Sequence, residues 1–149
     1  MLLNTASAVI SYVTGLEEET AKFYEKLAQK YPEGKELFLS LSKENRKNKL
    51  NVERTYYSVI TDALEASYAF KDGLNSEAYA VKTELAEKAH YTDALKTAVA
   101  IEEKIHKLYS ESAELSKDLM ADVPRVFKII AGKRVERIAK LKALIQEKK

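Results

Sequence analysis

Six polar residues lie on or beside apolar stripes in four segments of the chain, and their types and spacing could do chemistry. The stripes advance in alternating steps of three and four residues, which is typical of helices packed into a bundle. Because the polar residues fall near the middle of each stripe, we expect their side chains to meet in one central layer. The six are Glu17, Asn45, Asn48, Glu102, Arg134 and Arg137.

The formal charges of this set balance without a metal ion. Glu17 and Glu102 supply two carboxylates. Arg134 and Arg137 supply two guanidinium groups, which repel an incoming cation. A buried charge needs a partner, and arginine can hold a carboxylate through two parallel hydrogen bonds. The pattern therefore predicts buried ion pairs, with the alternative that the two arginines grip a small anion.

A second interpretation places these polar residues at the surface. On the fourth helix, a competing apolar face is formed by Ala131, Val135, Ile138 and Ile145. Long basic side chains can reach water from such a helix. The two asparagines lie in a polar run, Ser42–Lys49, which a solvated face would also produce. We expect the arginines and the asparagines to point inward.

Four long helices must position these side chains. Turn residues end the first helix at Tyr31–Gly34. Thr92 is a candidate N-cap for the third helix, and Asp122 with Pro124 marks the start of the fourth. The first three predicted helices cover about Leu3–Lys30, Lys35–Ala69 and Thr92–Lys117.

The pattern loosens between the second and third helices, over Phe70–Tyr91. Lys71–Ser76 is a turn or loop signal, and Glu77–His90 is compatible with a short helix. The segment is long enough to cross from one end of a bundle to the other. The prediction for residues 1–149 is a single all-α domain.

Several stretches resemble the rubrerythrin and ferritin-like family. The strongest are Glu17–Ala28, which reads EEETAKFYEKLA, and Leu39–Glu44, which reads LSLSKE. Ala100–Glu103 with Tyr109 adds a weaker match, and Glu17–Tyr24 is faintly repeated at Glu102–Tyr109. The resemblance covers nearly the whole chain. It implies a ferritin-like four-helix bundle with a long crossover between helices two and three.

The same resemblance implies a di-iron site, which this chain matches only in part. Such proteins place one Glu on each of two helices and a Glu-x-x-His on each of the other two. Glu17 and Glu102 match the single-Glu positions. The two asparagines stand in place of the first Glu-x-x-His, and the two arginines stand in place of the second.

We therefore expect a ferritin-like protein that has lost its di-iron centre, holds no cofactor and acts as a non-enzymatic structural or interaction module. One alternative is an iron-binding oxidoreductase with a displaced site built from Glu17, Glu102, Glu103 and His106, with Glu44 as a further candidate. The other is an anion or small-ligand binder that uses the central arginine pair.

Composition narrows the function classes further. The chain has 25 basic and 23 acidic residues, a net charge of +2 that gives no reason to propose nucleic acid as a partner. It has no cysteine, which excludes thiolate metal sites and thiol catalysis. No apolar run is long enough to span a membrane, and the start lacks the basic region of a signal peptide. We expect a cytoplasmic homodimer whose contact surface includes aromatic residues such as Tyr56, Tyr57 and Tyr68.

Overall fold

The computed structural model describes residues 1–59, 69–117 and 122–148, and four long α-helices dominate this part of the chain. A two-stranded antiparallel sheet accompanies them. The prediction of an all-α protein with four long helices is confirmed, and the small sheet is an addition to it. The helices are α1 (Ala6–Lys30), α2 (Lys35–Val59), α3 (Tyr91–Ser116) and α4 (Val123–Glu147), and the strands are β1 (Leu2–Thr5) and β2 (Ala69–Asn75).

Strand β1 corrects the predicted start of the first helix. Helix α1 begins at Ala6 rather than near Leu3, because the residues before it pair with β2. Thr5 caps the helix, since its Oγ1 accepts a hydrogen bond from the backbone N–H of Ala8 at 3.1 Å. Leu3 is fully buried in the strand, so its apolar side chain joins the core without a helical turn.

The segment between α2 and α3 also departs from prediction. A 3-10 helix, Ser76–Tyr79, follows β2, and residues 80–90 form no helix, although the sequence of Glu77–His90 is compatible with a short one. The Tyr12 hydroxyl donates to the Ser76 carbonyl at 3.1 Å, and the Tyr31 hydroxyl donates to the Ala89 carbonyl at 2.7 Å. Because Tyr12 and Tyr31 lie near opposite ends of α1, this segment extends along that helix.

The helix ends agree with the sequence in part. Helix α4 starts after Asp122 with Pro124 in its first turn, as predicted. Helix α3 starts at Tyr91, and its N-cap is His90, two residues before the predicted N-cap Thr92. The Asp93 carboxylate accepts a hydrogen bond from the backbone N–H of His90 at 2.9 Å. The predicted end of helix two, at about Ala69, depends on residues 60–68, which lie outside the described part of the chain.

One apolar core fills the space between the helices. Helix α1 runs antiparallel to α3, since Glu17 bonds to Tyr109 and Tyr24 bonds to Glu102. Aromatic rings flank the middle of the core, with Tyr24 stacked on Phe38 at 6.1 Å between ring centroids. Within the described ranges, no helix combines the length and the apolar character that crossing a membrane requires.

Candidate functional site

A layer of charged and polar side chains is buried at the middle of the bundle. All four helices contribute to it, and the structure brings five of the six predicted residues together in one hydrogen-bonded network. Four of the five have no exposed surface, and Arg137 is 6% exposed. We call this network the central layer. Its members are Glu17, Asn45, Glu102, Arg134 and Arg137.

Arg134 joins both carboxylates of the central layer. Its Nη1 and Nη2 donate to the two carboxylate oxygens of Glu17, a bidentate contact that includes a 2.9 Å bond from Nη1 to Oε2. Its Nε donates to Glu102 Oε2 at 2.6 Å, and Nη2 also reaches Asn45 Oδ1 at 3.0 Å. All three guanidinium nitrogens are therefore engaged, and the cationic group lies between the two carboxylates.

Arg137 links the central layer to the surface. Its Nη1 donates to Glu102 Oε1 at 2.9 Å and to Asn45 Oδ1 at 2.7 Å. Its Nη2 donates to Glu44 Oε1 at 2.9 Å, and the Glu44 side chain is 40% exposed. The sequence named Glu44 only as a candidate metal ligand. Its position one residue before Asn45, at the edge of the polar stripe, was the signal that could have placed it beside an arginine.

Two buried tyrosines complete the hydrogen bonding of the carboxylates. The Tyr24 hydroxyl donates to Glu102 Oε1, and the Tyr109 hydroxyl donates to Glu17 Oε2, each at 2.7 Å. Each tyrosine follows its own helix's Glu by seven residues in the faint repeat and bonds to the Glu of the other helix. Burial, together with the facing carboxylate, raises the pKa of both hydroxyls well above the usual value, so they remain protonated donors.

The electrostatics favour full ionisation of the buried pairs. Burial alone would raise the pKa of Glu102, but the charges of Arg134 and Arg137 outweigh it, so that this pKa is lowered. Burial alone would lower the pKa of Arg134, but Glu102 and Glu17 outweigh it and raise that pKa well above the usual value. The buried charges are thus compensated by one another and by hydrogen bonds, as buried charges must be.

Asn48 lies in the core but not in the network. It is 1% exposed, and neither its amide oxygen nor its amide nitrogen has a hydrogen-bond partner among the described residues. Asn45 differs, because its amide nitrogen donates to Thr20 Oγ1 at 2.7 Å while its oxygen accepts from both arginines. The spacing of three residues correctly turned both asparagines inward but did not decide which of them would find a partner.

The candidate ligands of a displaced metal site do not lie together in the structure. Glu103 is exposed and His106 is half-buried, with Ser110 Oγ 3.5 Å from its Nε2. Glu17 and Glu102 point into the central layer, where arginine holds them. Across residues 1–59, 69–117 and 122–148, no three His, Asp or Glu side chains form a group that could bind a metal ion. The residues present therefore do not fit a di-iron centre.

Comparisons of the chain with protein-family models, curated proteins and solved structures find no match.

A second ion-pair cluster lies on the surface between α1 and α2. Arg46 donates to both oxygens of Glu25, at 2.7 and 3.0 Å, and to Glu18 Oε2 at 3.0 Å. Hydrogen bonds from Arg46 lower the pKa of both glutamates. The Arg46 side chain is 38% exposed, so this cluster contributes to helix pairing without the desolvation that distinguishes the central layer.

Proposed function

We propose that the chain is a ferritin-like bundle whose di-iron centre has been replaced by ion pairs, and that it serves as a non-enzymatic structural or interaction module. The observation that carries the proposal is the position of the Arg134 guanidinium, which bonds to both Glu17 and Glu102. These are the two residues at the family's single-Glu positions. A metal cation between them would have to displace a buried positive charge that both carboxylates already bind.

The helix directions support the ferritin-like part of the proposal. Helix α1 is antiparallel to α2, since Glu25 bonds to Arg46 while Glu18 bonds to Lys49. It is also antiparallel to α3, through the Glu–Tyr bonds of the central layer. Helices α2 and α3 then run in the same direction, and the chain between them must return along the bundle. A long crossover of this kind is a ferritin-like feature.

The chemistry of the central layer supports a non-enzymatic role. A general acid or base must reach a substrate proton within hydrogen-bond distance, but Glu17 and Glu102 are 0% exposed. Their oxygens already accept hydrogen bonds from arginine and tyrosine. The anion alternative, in which both arginines grip a ligand at the centre, meets the same obstacle at Arg134, whose three nitrogens are all engaged. A cytoplasmic location remains a prediction.

Iron loading tests the loss of the metal centre. We expect the purified protein, incubated anaerobically with ferrous iron and desalted, to retain no stoichiometric iron by elemental analysis and to show no ferroxidase activity. The physical reason is the guanidinium charge between the carboxylates. Stoichiometric iron in the unmodified protein would overturn the proposal and favour a rubrerythrin-type oxidoreductase.

A variant that restores the family's ligand pattern serves as the positive control for this assay. It combines Asn45→Glu, Asn48→His, Arg134→Glu and Arg137→His, which places a Glu-x-x-His on α2 and another on α4. Iron retained by this variant and not by the unmodified chain would assign the difference to these four positions. Arg46→Glu, which adds a carboxylate on the surface of α2, is the matched change that should gain no iron.

We further propose that a second copy of the chain packs on the outer face of α2. Leu39, Leu50 and Tyr57 are 43%, 49% and 69% exposed, and their spacing of eleven and seven residues places them on one face of the helix. Tyr56 is 2% exposed and packs edge-on against Tyr57, so it supports this face from within the core. Tyr68, the third aromatic residue considered, lies outside the described residues.

Light scattering tests the dimer. We expect a mass near twice 16.9 kDa for the unmodified chain and near 16.9 kDa for Tyr57→Glu, because the new charge would be buried without a partner in the interface. Val135→Glu is the matched control, since Val135 is 52% exposed on α4. A monomeric unmodified chain, or equal dissociation of both variants, would contradict this assignment.

A further inference from the structure

A groove of about 360 Å³ opens between α2 and α4, directly outside the central layer. Arg137 contributes to its lining, as does Glu44, its half-exposed partner. The other charged side chains of the groove are exposed and include three lysines. The charged lining residues are Glu44, Lys47, Lys133, Glu136, Arg137 and Lys140.

On one edge of the Arg137 guanidinium, only one of the two nitrogen donors has a hydrogen-bond acceptor within the described part of the chain. The Nε of Arg137 is buried and has no hydrogen-bond partner among the described residues. Its Nη2 lies on the same edge of the planar group and bonds to one oxygen of Glu44. A buried donor without a partner destabilises the fold, and buried donors in folded proteins are nearly always paired. Along this edge, the N–H groups of Nε and Nη2 can donate two parallel hydrogen bonds to two oxygens of one anion.

The charge of the groove suits a monoanion. The positive charge of Arg137 is already offset inside the central layer by Glu102. The remaining charges in the groove are three lysines and two glutamates, which leaves one excess positive charge. These residues are Lys47, Lys133, Lys140, Glu44 and Glu136. A carboxylate carries one negative charge and two equivalent oxygens, so it satisfies both the charge and the geometry.

We propose that this groove binds a small carboxylate through Nε and Nη2 of Arg137. The ligand takes the position that one oxygen of Glu44 holds at Nη2, and the Glu44 side chain, being half-exposed, swings out into water. The three lysine ammonium groups attract the anion and hold it in the groove. Glu44 is thus a competing carboxylate supplied by the chain itself. This site goes beyond the proposed structural role and does not depend on it.

NMR titration of the Arg137 Nε–Hε signal with acetate tests the site. We expect a saturable shift, with chloride at the same ionic strength giving none. Glu44→Gln, which removes the competing carboxylate, should raise the acetate affinity by about twofold to fivefold. Lys133→Gln and Lys140→Gln should each lower the affinity by a similar factor.

Lys142→Gln provides the matched control, because Lys142 is exposed on α4 and is not part of the groove lining. Its acetate affinity should equal that of the unmodified chain. Inorganic phosphate is run in parallel, and a saturable shift with phosphate but not with acetate would overturn the carboxylate assignment. An acetate shift that never saturates, that chloride reproduces, or that Glu44→Gln leaves unchanged would overturn the site itself. None of these variants touches a fully buried residue, so a folding defect would not mask the result.

Discussion

Glu102→Leu is expected to destabilise the fold by about 3–5 kcal/mol, because it leaves the central layer with an uncompensated positive charge and the buried Tyr24 hydroxyl without its acceptor. Arg134 Nε, Arg137 Nη1 and the Tyr24 hydroxyl all donate to this one carboxylate. The loss is a large part of the roughly 5–15 kcal/mol that stabilises a domain. Urea unfolding followed by circular dichroism at neutral pH measures it.

The neighbouring residue supplies the matched control. Glu103 is exposed on the same helix, and Glu103→Leu should change the free energy of unfolding by no more than about 0.5 kcal/mol. Equal effects of the two substitutions would contradict a buried central layer.

Removing all four charges together should recover much of the loss. Replacing Glu17 and Glu102 by Leu, and Arg134 and Arg137 by Met, leaves no unpaired ion in the core. A buried ion pair is often no better than apolar packing of similar volume. The recovery should be incomplete, since Tyr24, Tyr109 and Asn45 lose hydrogen-bond partners in this variant.

Arg134→Met is expected to cost about 3–5 kcal/mol at pH 7 and to change how stability depends on pH. In the unmodified chain the pKa of Glu102 is lowered by folding, so its contribution is present above its unfolded pKa and is lost as pH falls through the folded value. Arg134 is the larger of the two charges that lower this pKa, and burial, the largest single influence, raises it. We expect burial to outweigh the remaining Arg137 charge and the Tyr24 hydrogen bond once Arg134 is removed. The variant should therefore gain stability as pH falls from 7 to about 5.

Urea midpoints at pH 7 and pH 5 measure this change. The unmodified chain should differ little between the two pH values, whereas the variant should be more stable at the lower one. Lys133→Met, at the exposed neighbouring position, is the control and should behave like the unmodified chain. A variant with no gain at pH 5 would contradict the expectation that burial controls the pKa of Glu102 once Arg134 is gone.

The sequence predicted the central layer better than it predicted the connections. Residues three apart on a helix share a face, so the spacing of Arg134 and Arg137, and of Asn45 and Asn48, carried enough information to turn them inward. The spacing did not predict the contact of Glu44 with Arg137. Glu44 lies beside the stripe, yet its half-exposed side chain bonds to Arg137 at 2.9 Å.

Strand β1 could not be predicted from the sequence, for a different reason. The residues Leu2–Thr5 continue the apolar pattern of α1, and nothing local distinguishes a strand from a first helical turn. The pairing of Leu2 with Asn75 and of Leu3 with Leu74 decides the outcome, and these partners are separated by about seventy residues of chain. Local patterns do not encode a contact of that range.

The central layer also fixes how the two helical hairpins align when they meet. The α1–α2 hairpin brings Glu17, Asn45 and the half-exposed Glu44, while the α3–α4 hairpin brings Glu102 with both arginines. If one hairpin slid by a single helical turn, about 5.4 Å, Glu17 would leave Arg134 and both would be buried against apolar neighbours. An apolar core tolerates such sliding far better than an ion pair does. We expect the buried ion pairs to select one alignment of the two hairpins, even though these pairs add little to the overall stability of the fold.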